Sequence, residues 1–198
     1  MTPSIPDLVL ASGSPYRKAL LTRLGLPFST VAPDIDETPA PGESPLALSR
    51  RLAREKALAV SAQHPEAVVI GSDQVATWNG EPIGKPGSFE RAHQQLTALS
   101  GQTVVFHTAI CVSHPGGNEV IDVPTHCEFR ALSPEEITRY LEREAPYDTA
   151  GSAKAESLGI ALMAGMRSND PTAIIGLPLI ELCRMLRAAG LDPVMHGQ

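Results

Sequence analysis

Cysteine is scarce, with Cys111, Cys127 and Cys183 the only ones in 198 residues. Their odd number, wide scatter and lack of CxxC spacing argue against a disulfide framework or a zinc site and favour buried free thiols. Positive charge is also short: 16 Lys and Arg stand against 22 Asp and Glu, a net charge of -6. That balance argues against a general binder of DNA or RNA, so any polyanion site must be a local basic pocket. No apolar run approaches the roughly 20 residues that span a bilayer. Met1 to Asp7 has neither the basic start nor the apolar stretch of a signal peptide, and a cytoplasmic chain without membrane partners is expected. The six histidines, His64, His93, His107, His114, His126 and His196, show neither HExxH nor paired metal spacing and read as structural or surface residues. Missing GxxxxGK[ST], GxGxxG and GxSxG motifs disfavour P-loop kinases, Rossmann dehydrogenases and α/β-hydrolases. Internal repeats and low-complexity tracts are lacking too.

What is present is an ordinary globular composition, 42% hydrophobic and 19% charged, which excludes disordered and fibrous classes. The length suits one large domain or two intimate lobes. Leu8 to Leu24 organises the rest: an apolar run breaks into Ser12-Gly13-Ser14-Pro15 and is followed at once by an amphipathic pattern, Ala19, Leu20, Leu21 and Leu24. This predicts strand, tight turn and helix, with Ser14 as N-cap and Pro15 at the first helical position. Such a corner turns unpaired backbone N–H groups outward, and Arg17 and Lys18 add cations to the first turn. It suits a phosphate chain, although an ordinary capped helix with solvated basic residues reads the same.

Phe28 to Val31 follows as a short strand, and then an acidic loop holding Asp34, Asp36 and Glu37. Clustered carboxylates suit Mg²⁺ or Mn²⁺, or are simply a solvated loop. Ser44-Pro45 opens a long helix to about Ala62. On it Lys56 follows Leu52 by four residues, on the apolar face away from Arg50, Arg51 and Arg54, so it either snorkels or points into a phosphate site. Ala67 to Ile70 reads as a strand covered on both faces, ending at Gly71-Ser72-Asp73-Gln74. Asp73 would then lie at a strand's carboxyl end, where open α/β sheets bind ligands. Val75 to Trp78 and Glu81 to Ile83 flank Asn79-Gly80, a hairpin signal, and lead to Lys85 between Gly84 and Pro86. Ser88 caps a helix to about Leu99. Thr103 to Val112 and Val120 to Arg130 are paired strands, and Ser133 with Glu136 forms a capping box. A long loop from Ala145 to Gly159 carries Glu156. Ile160 to Met163 reads as a strand, Asp170-Pro171 as a helix start, and a last helix follows Gly176-Leu177-Pro178.

Together, Arg17, Lys56 and Lys85, an acidic group at Glu37, and Asp73 suit metal-assisted attack of water on a nucleotide's phosphate chain. Residue chemistry alone reaches a phosphoanhydride hydrolase or a nucleotide-binding protein.

LASGSPYRKALL, APDIDET, RLAREKA, IGSDQV, GKP, LSGQ and GLPL, in this order, resemble the Maf family of nucleotide pyrophosphatases across nearly the whole chain. The resemblance implies a single domain over 1–198 with a two-lobed α/β fold: an elongated mixed β-sheet, flanking helices and a central cleft, like inosine triphosphate pyrophosphatases. It implies cleavage between the α and β phosphates with Mg²⁺ or Mn²⁺. It puts the proton acceptor at Asp73, phosphate contacts at Ser12, Arg17, Lys56 and Lys85, and the metal at Glu37 and Asp73. Family enzymes acting on dTTP and UTP carry Arg, Thr and Gln where this chain has Tyr16, Gln74 and Glu156. Those three residues resemble the branch acting on 7-methyl-GTP. Tyr16 offers an aromatic face to the cationic N7-methylguanine, and Glu156 can accept from the N1–H and N2 amino groups of guanine. A nucleotide substrate, no nucleic-acid polymer and a homodimer complete the expectation. The alternatives are a dTTP/UTP pyrophosphatase and a nucleotide-binding regulator of cell division without turnover.

Overall fold

The computed structural model of the chain describes residues 6–197; most of the N-terminal stretch read for a targeting signal therefore lies outside the described residues. In chain order the elements are β1 (Leu8–Ala11), α1 (Pro15–Thr22), β2 (Ser29–Thr30), α2 (Pro45–Ser61), β3 (Val68–Trp78), β4 (Glu81–Ile83) and α3 (Phe89–Leu99). They continue with β5 (Thr103–His114), β6 (Gly117–Phe129), α4 (Pro134–Glu144), β7 (Met163–Arg167), α5 (Leu179–Ala188) and α6 (Pro193–His196). Seven strands form one mixed sheet in the order β2-β1-β3-β5-β6-β7, with β4 paired to β3. β1 runs parallel to β2 and β3, while β4 and β7 pair antiparallel with β3 and β6. The mixed α/β architecture expected from the resemblance is present. Among the described residues no helix is long and apolar enough to cross a membrane.

By contacts the chain divides into two compact units. The first comprises the chain up to Gln74, Thr108–Val123 and the chain from Asp170 onward. In it β1 and β3 bury alternate residues on opposite faces. Leu8, Leu10, Val68 and Ile70 join Leu20 and Leu21 of α1 and Leu182 and Leu186 of α5. Val9, Ala11 and Val69 meet Val60 of α2. Coverage on both faces is why these strands read as continuous apolar runs. Below them, Ala53 and Ala57 of α2 pack on Ala109 and Cys111 of β5. Small side chains let α2 lie against β3 so closely that a Cβ on Gly71 would stand 2.2 Å from Ala53 O and 2.6 Å from Ala57 N.

The second unit, Val75–His107 with Pro124–Asn169, packs α3 on α4 and on the turn Ala150–Ser152. Leu96, Leu99, Ile137 and Leu141 are fully buried there. Its capping box forms as expected: Glu136 N–H donates to Ser133 Oγ at 3.2 Å and Ser133 N–H to Glu136 Oε2 at 2.8 Å. All three thiols are free, and burial pushes Cys111 and Cys127 up to about 12.

Three expectations need correction. β3 does not stop at Ile70; it runs on to Trp78 and into the hairpin, so Asp73 sits inside a strand, just beyond the last residue paired with β1. Ile160 is in a 3-10 turn, Leu158–Leu162, and the strand begins only at Met163. Asp170-Pro171 opens no α-helix, only the 3-10 turn Ala173–Ile175. Its carboxylate instead accepts Thr172 N–H at 2.9 Å and Ile180 N–H at 2.6 Å. It thus caps α5, whose own N-cap residue, Pro178, has no polar side chain to offer.

The Gly71 contact is the sharpest packing constraint near the site. Gly71→Ala forces α2 off β3, and urea unfolding should show a loss of roughly 1–3 kcal/mol or more; an unchanged midpoint would contradict this packing.

Candidate active site

The apolar face of α2 buries Leu48, Leu52, Ala53, Lys56, Ala57 and Val60. Lys56 does not snorkel outward. Its ammonium lies 2.7 Å from Asp73 Oδ1 and 2.8 Å from Glu37 Oε1, with the Lys56 side chain only 8% exposed. Three residues far apart in sequence thus form one ion cluster. Burial raises the Asp73 carboxyl above its ordinary range; the charges of Lys56 and Arg17 oppose that rise, and Glu37 adds to it. Arg17 feels the mirror image, since burial lowers it while Asp73 and Glu37 hold its charge in place. None of the described residues donates to Asp73 Oδ2, so one oxygen of this raised-pKa carboxylate remains free for another proton donor.

The acidic loop does not act as a three-carboxylate cluster. Asp36 bends back on Thr38, accepting its N–H at 2.9 Å; the Thr38 side chain first and this N–H second lower its carboxyl, and Asp34 is exposed. Only Glu37 reaches Lys56. What delivers it is Arg51, which the sequence placed on a solvated basic face. Its guanidinium donates to Thr38 O at 3.0 Å and to both oxygens of Glu43, at 2.7 and 2.9 Å. Glu43 in turn accepts Ala40 N–H at 2.9 Å. Arg51 thus ties both ends of the segment after Glu37 to α2. The signal in sequence was faint: a Glu four residues after Arg51 predicts a helix pair with Glu55, which forms at 2.9 Å, but not the loop contact.

The corner after β1 forms as expected, with Ser14 capping α1 and no acid in its first turn. Ser12 is buried and accepts Ser14 N–H at 3.1 Å. Tyr16, 39% exposed, keeps its ring accessible. Arg17 donates through Nε to Gly176 O at 2.9 Å. Gln74 directs its amide nitrogen to Thr108 Oγ1, Ala173 O and Ile174 O at 2.9 to 3.1 Å.

Lys85 and Glu156 belong to the second unit. Lys85 is exposed on a loop fixed on both sides: Gln95 donates to Gly84 O at 3.1 Å and Gly87 N–H donates to Tyr147 O at 3.0 Å. An exposed ammonium there rides on a backbone tied at Gly84 and Gly87. Glu156 is exposed on a loop held by Lys154 N–H donating to Tyr140 Oη at 3.1 Å and Leu158 N–H to Glu144 Oε2 at 2.7 Å. Burial pushes the Tyr140 hydroxyl up to about 12, and the charges of Glu144 and Glu156 add to the rise.

Glu37 and Asp73 each keep one oxygen off Lys56. Two hard oxygen donors fit Mg²⁺ or Mn²⁺, ions that retain waters and complete their shell with substrate phosphates. Among the described residues no three acidic, His or Cys side chains converge on a metal position by themselves.

Arg51 holds the Glu43 carboxyl down to about 2. A depressed acid contributes stability that is present above its unfolded pKa of about 4.3 and lost as pH falls toward the folded value. Thermal melting between pH 5 and 2.5 should therefore fall less steeply in Glu43→Gln than in the parent; identical slopes would show that the pair contributes nothing in that window.

The family described as Maf-like protein matches residues 7–189. A 7-methyl-GTP pyrophosphatase of Bordetella pertussis (strain Tohama I) is 62% identical over 189 residues, covering 96% of this chain and 95% of that protein. Proteins of the same name from Burkholderia lata and Aromatoleum aromaticum are 57% and 55% identical, covering 93% of this chain and 90% and 96% of their own lengths. A family match over all but the chain ends, with relatives aligned over almost their full length, shows that this chain belongs to the Maf family.

Proposed function

We propose that this protein is a hydrolase of phosphoanhydride bonds that converts 7-methyl-GTP to 7-methyl-GMP and pyrophosphate, removing modified nucleotides. The observation that carries the reading is the buried pair of Lys56 and Asp73, joined from the exposed side by Glu37, with Arg17 beside it. Cations among carboxylates in a partly desolvated position are what a polyphosphate and an attacking water require. The close relatives, which bear the name 7-methyl-GTP pyrophosphatase, support the substrate.

In this reading, Ser12, Arg17, Lys56 and Lys85 bind and neutralise the phosphate oxygens. The free oxygen of Asp73 takes a proton from water. Water oxygen bonds to the α-phosphorus, the bond from that phosphorus to the α–β bridging oxygen breaks, and pyrophosphate leaves. Burial suits Asp73 to the task, because a carboxylate of raised pKa is a stronger base than an exposed one. Glu37 and Asp73 would hold a divalent cation, which when bound supplies further neutralisation of the phosphate charge. Tyr16 faces the methylated base, Glu156 accepts from its guanine edge, and Gln74 is the third residue that separates this branch from the pyrimidine enzymes. The two units act as one catalytic domain in a cytoplasmic protein that takes a small nucleotide, binds no nucleic-acid polymer and forms a homodimer.

A panel of 7-methyl-GTP, GTP, dTTP, UTP and ITP with Mg²⁺ or Mn²⁺ should release monophosphate and pyrophosphate, fastest from 7-methyl-GTP. Preference for dTTP or UTP would reassign the substrate, and silence across the panel would favour a binding regulator. Asp73→Asn should lower kcat by about 10²–10⁴-fold while calorimetry still detects nucleotide binding. Tyr16→Leu should cut the preference for 7-methyl-GTP over GTP by roughly 2- to 30-fold, the span of an exposed to a desolvated cation–π contact. Equal losses on both substrates would remove Tyr16 from base recognition.

A further inference from the structure

One short turn, remote in sequence from the ion cluster, receives side chains from three different elements. Ala173–Ile175 forms a single 3-10 turn closed by Gly176, whose φ of 115° favours glycine. Three carbonyls of the turn and its closing glycine, those of Ala173, Ile174 and Gly176, accept from polar side chains. Gln74 Nε2 donates to Ala173 O and Ile174 O, each at 3.1 Å, and to Thr108 Oγ1 at 2.9 Å. Thr108 Oγ1 donates to Ala173 O at 3.0 Å. Ser72 Oγ shares its proton between Ala109 O and Gly176 O, each at 2.9 Å. Ser72 and Thr108 are fully buried. The same Gly176 carbonyl accepts Arg17 Nε–H at 2.9 Å, and no described residue accepts from the two terminal nitrogens of Arg17.

Strand alternation explains the arrangement. Ser72 and Gln74 flank Asp73 on β3 and point to the opposite face, so one strand segment serves Lys56 on one side and the turn on the other. A guanidinium with one N–H fixed to a rigid carbonyl has its plane set in advance, and its remaining donors lose less entropy on meeting phosphate.

We infer that Ser72, Gln74 and Thr108 are positioning residues: they fix the turn whose Gly176 carbonyl sets the plane of Arg17. Gln74 therefore serves the phosphate end of the substrate and does not read the base. This inference rests on the proposed function and revises the assignment of Gln74 to base specificity.

Pyrophosphate, which has no base, separates the two roles. Its binding is measured by calorimetry, beside kcat and KM for 7-methyl-GTP and UTP, in the parent and in Gln74→Leu, Ser72→Ala and the near-isosteric Thr108→Val. Each change is also made in an Arg17→Met background. Every single variant should weaken pyrophosphate by roughly 3–10-fold, the worth of one or two hydrogen bonds. KM should rise by the same factor for both triphosphates, leaving their ratio unchanged, and no further loss should appear once Arg17 is gone. A changed substrate ratio with normal pyrophosphate binding would overturn the inference, as would equal losses with and without Arg17. Should Gln74→Leu fail to fold, Thr108→Val and Ser72→Ala decide the matter on the same readouts. A parent protein that binds no pyrophosphate overturns the phosphate-site reading, and this inference with it.

Discussion

An ammonium held between two carboxylates is the interaction on which the rest of the site depends. Lys56 and Asp73 are both buried, so removing either leaves a desolvated charge short of its partner, a penalty that exceeds the gain from forming the pair; Glu37, its side chain 58% exposed, costs less to lose. Each partner also needs its own support. Lys56 faces inward because α2 rests on Gly71 with nothing larger than alanine between them. Glu37 arrives because Arg51 ties the following loop to the same helix. Asp73 is carried by a strand long enough to outrun its parallel partner. The formal charges of Arg17, Lys56, Glu37 and Asp73 cancel. The cluster is thus locally balanced within a chain whose overall charge of -6 attracts no anion at long range.

Much of this was legible from local pattern. The N-caps of α1 to α4 were readable because each is set by a serine and the next few residues. The Asn79-Gly80 hairpin follows from backbone preferences of two residues. Even the inward aim of Lys56 could be read, since helical spacing from Leu52 fixes its face. Partners were not legible. Arg51 has the spacing of a solvated outer arginine, and only the fold brings Thr38 and Glu43 to it. Asp170 followed by proline has the form of a helix start, yet its carboxylate caps a helix ten residues on because the chain between them is folded back. Asp34, Asp36 and Glu37 look equivalent in sequence, and a local hydrogen bond to Thr38 removes Asp36 from the set. Caps and turns set by a few neighbouring residues could be seen; partners could not, whether the fold brings them, as for Arg51 and Asp170, or a local bend selects them, as for Asp36.

The strand carrying Asp73 joins two jobs that chemistry keeps apart. One face presents the carboxylate to Lys56, and the other face, through Ser72 and Gln74, grips the turn that holds Arg17. Asp73 and the turn that holds Arg17 are thereby referred to one strand backbone, whose pleat sets the angle between them.

The cysteines have a consequence of another kind. With Cys111 and Cys127 buried and their thiols pushed up to about 12, and Cys183 raised as well, the chain presents almost no thiolate at neutral pH. Peroxides and alkylating agents attack thiolates, so they find no ready target here. A scaffold whose thiols stay protonated has no cysteine poised for disulfide exchange or sulfenic acid formation at neutral pH.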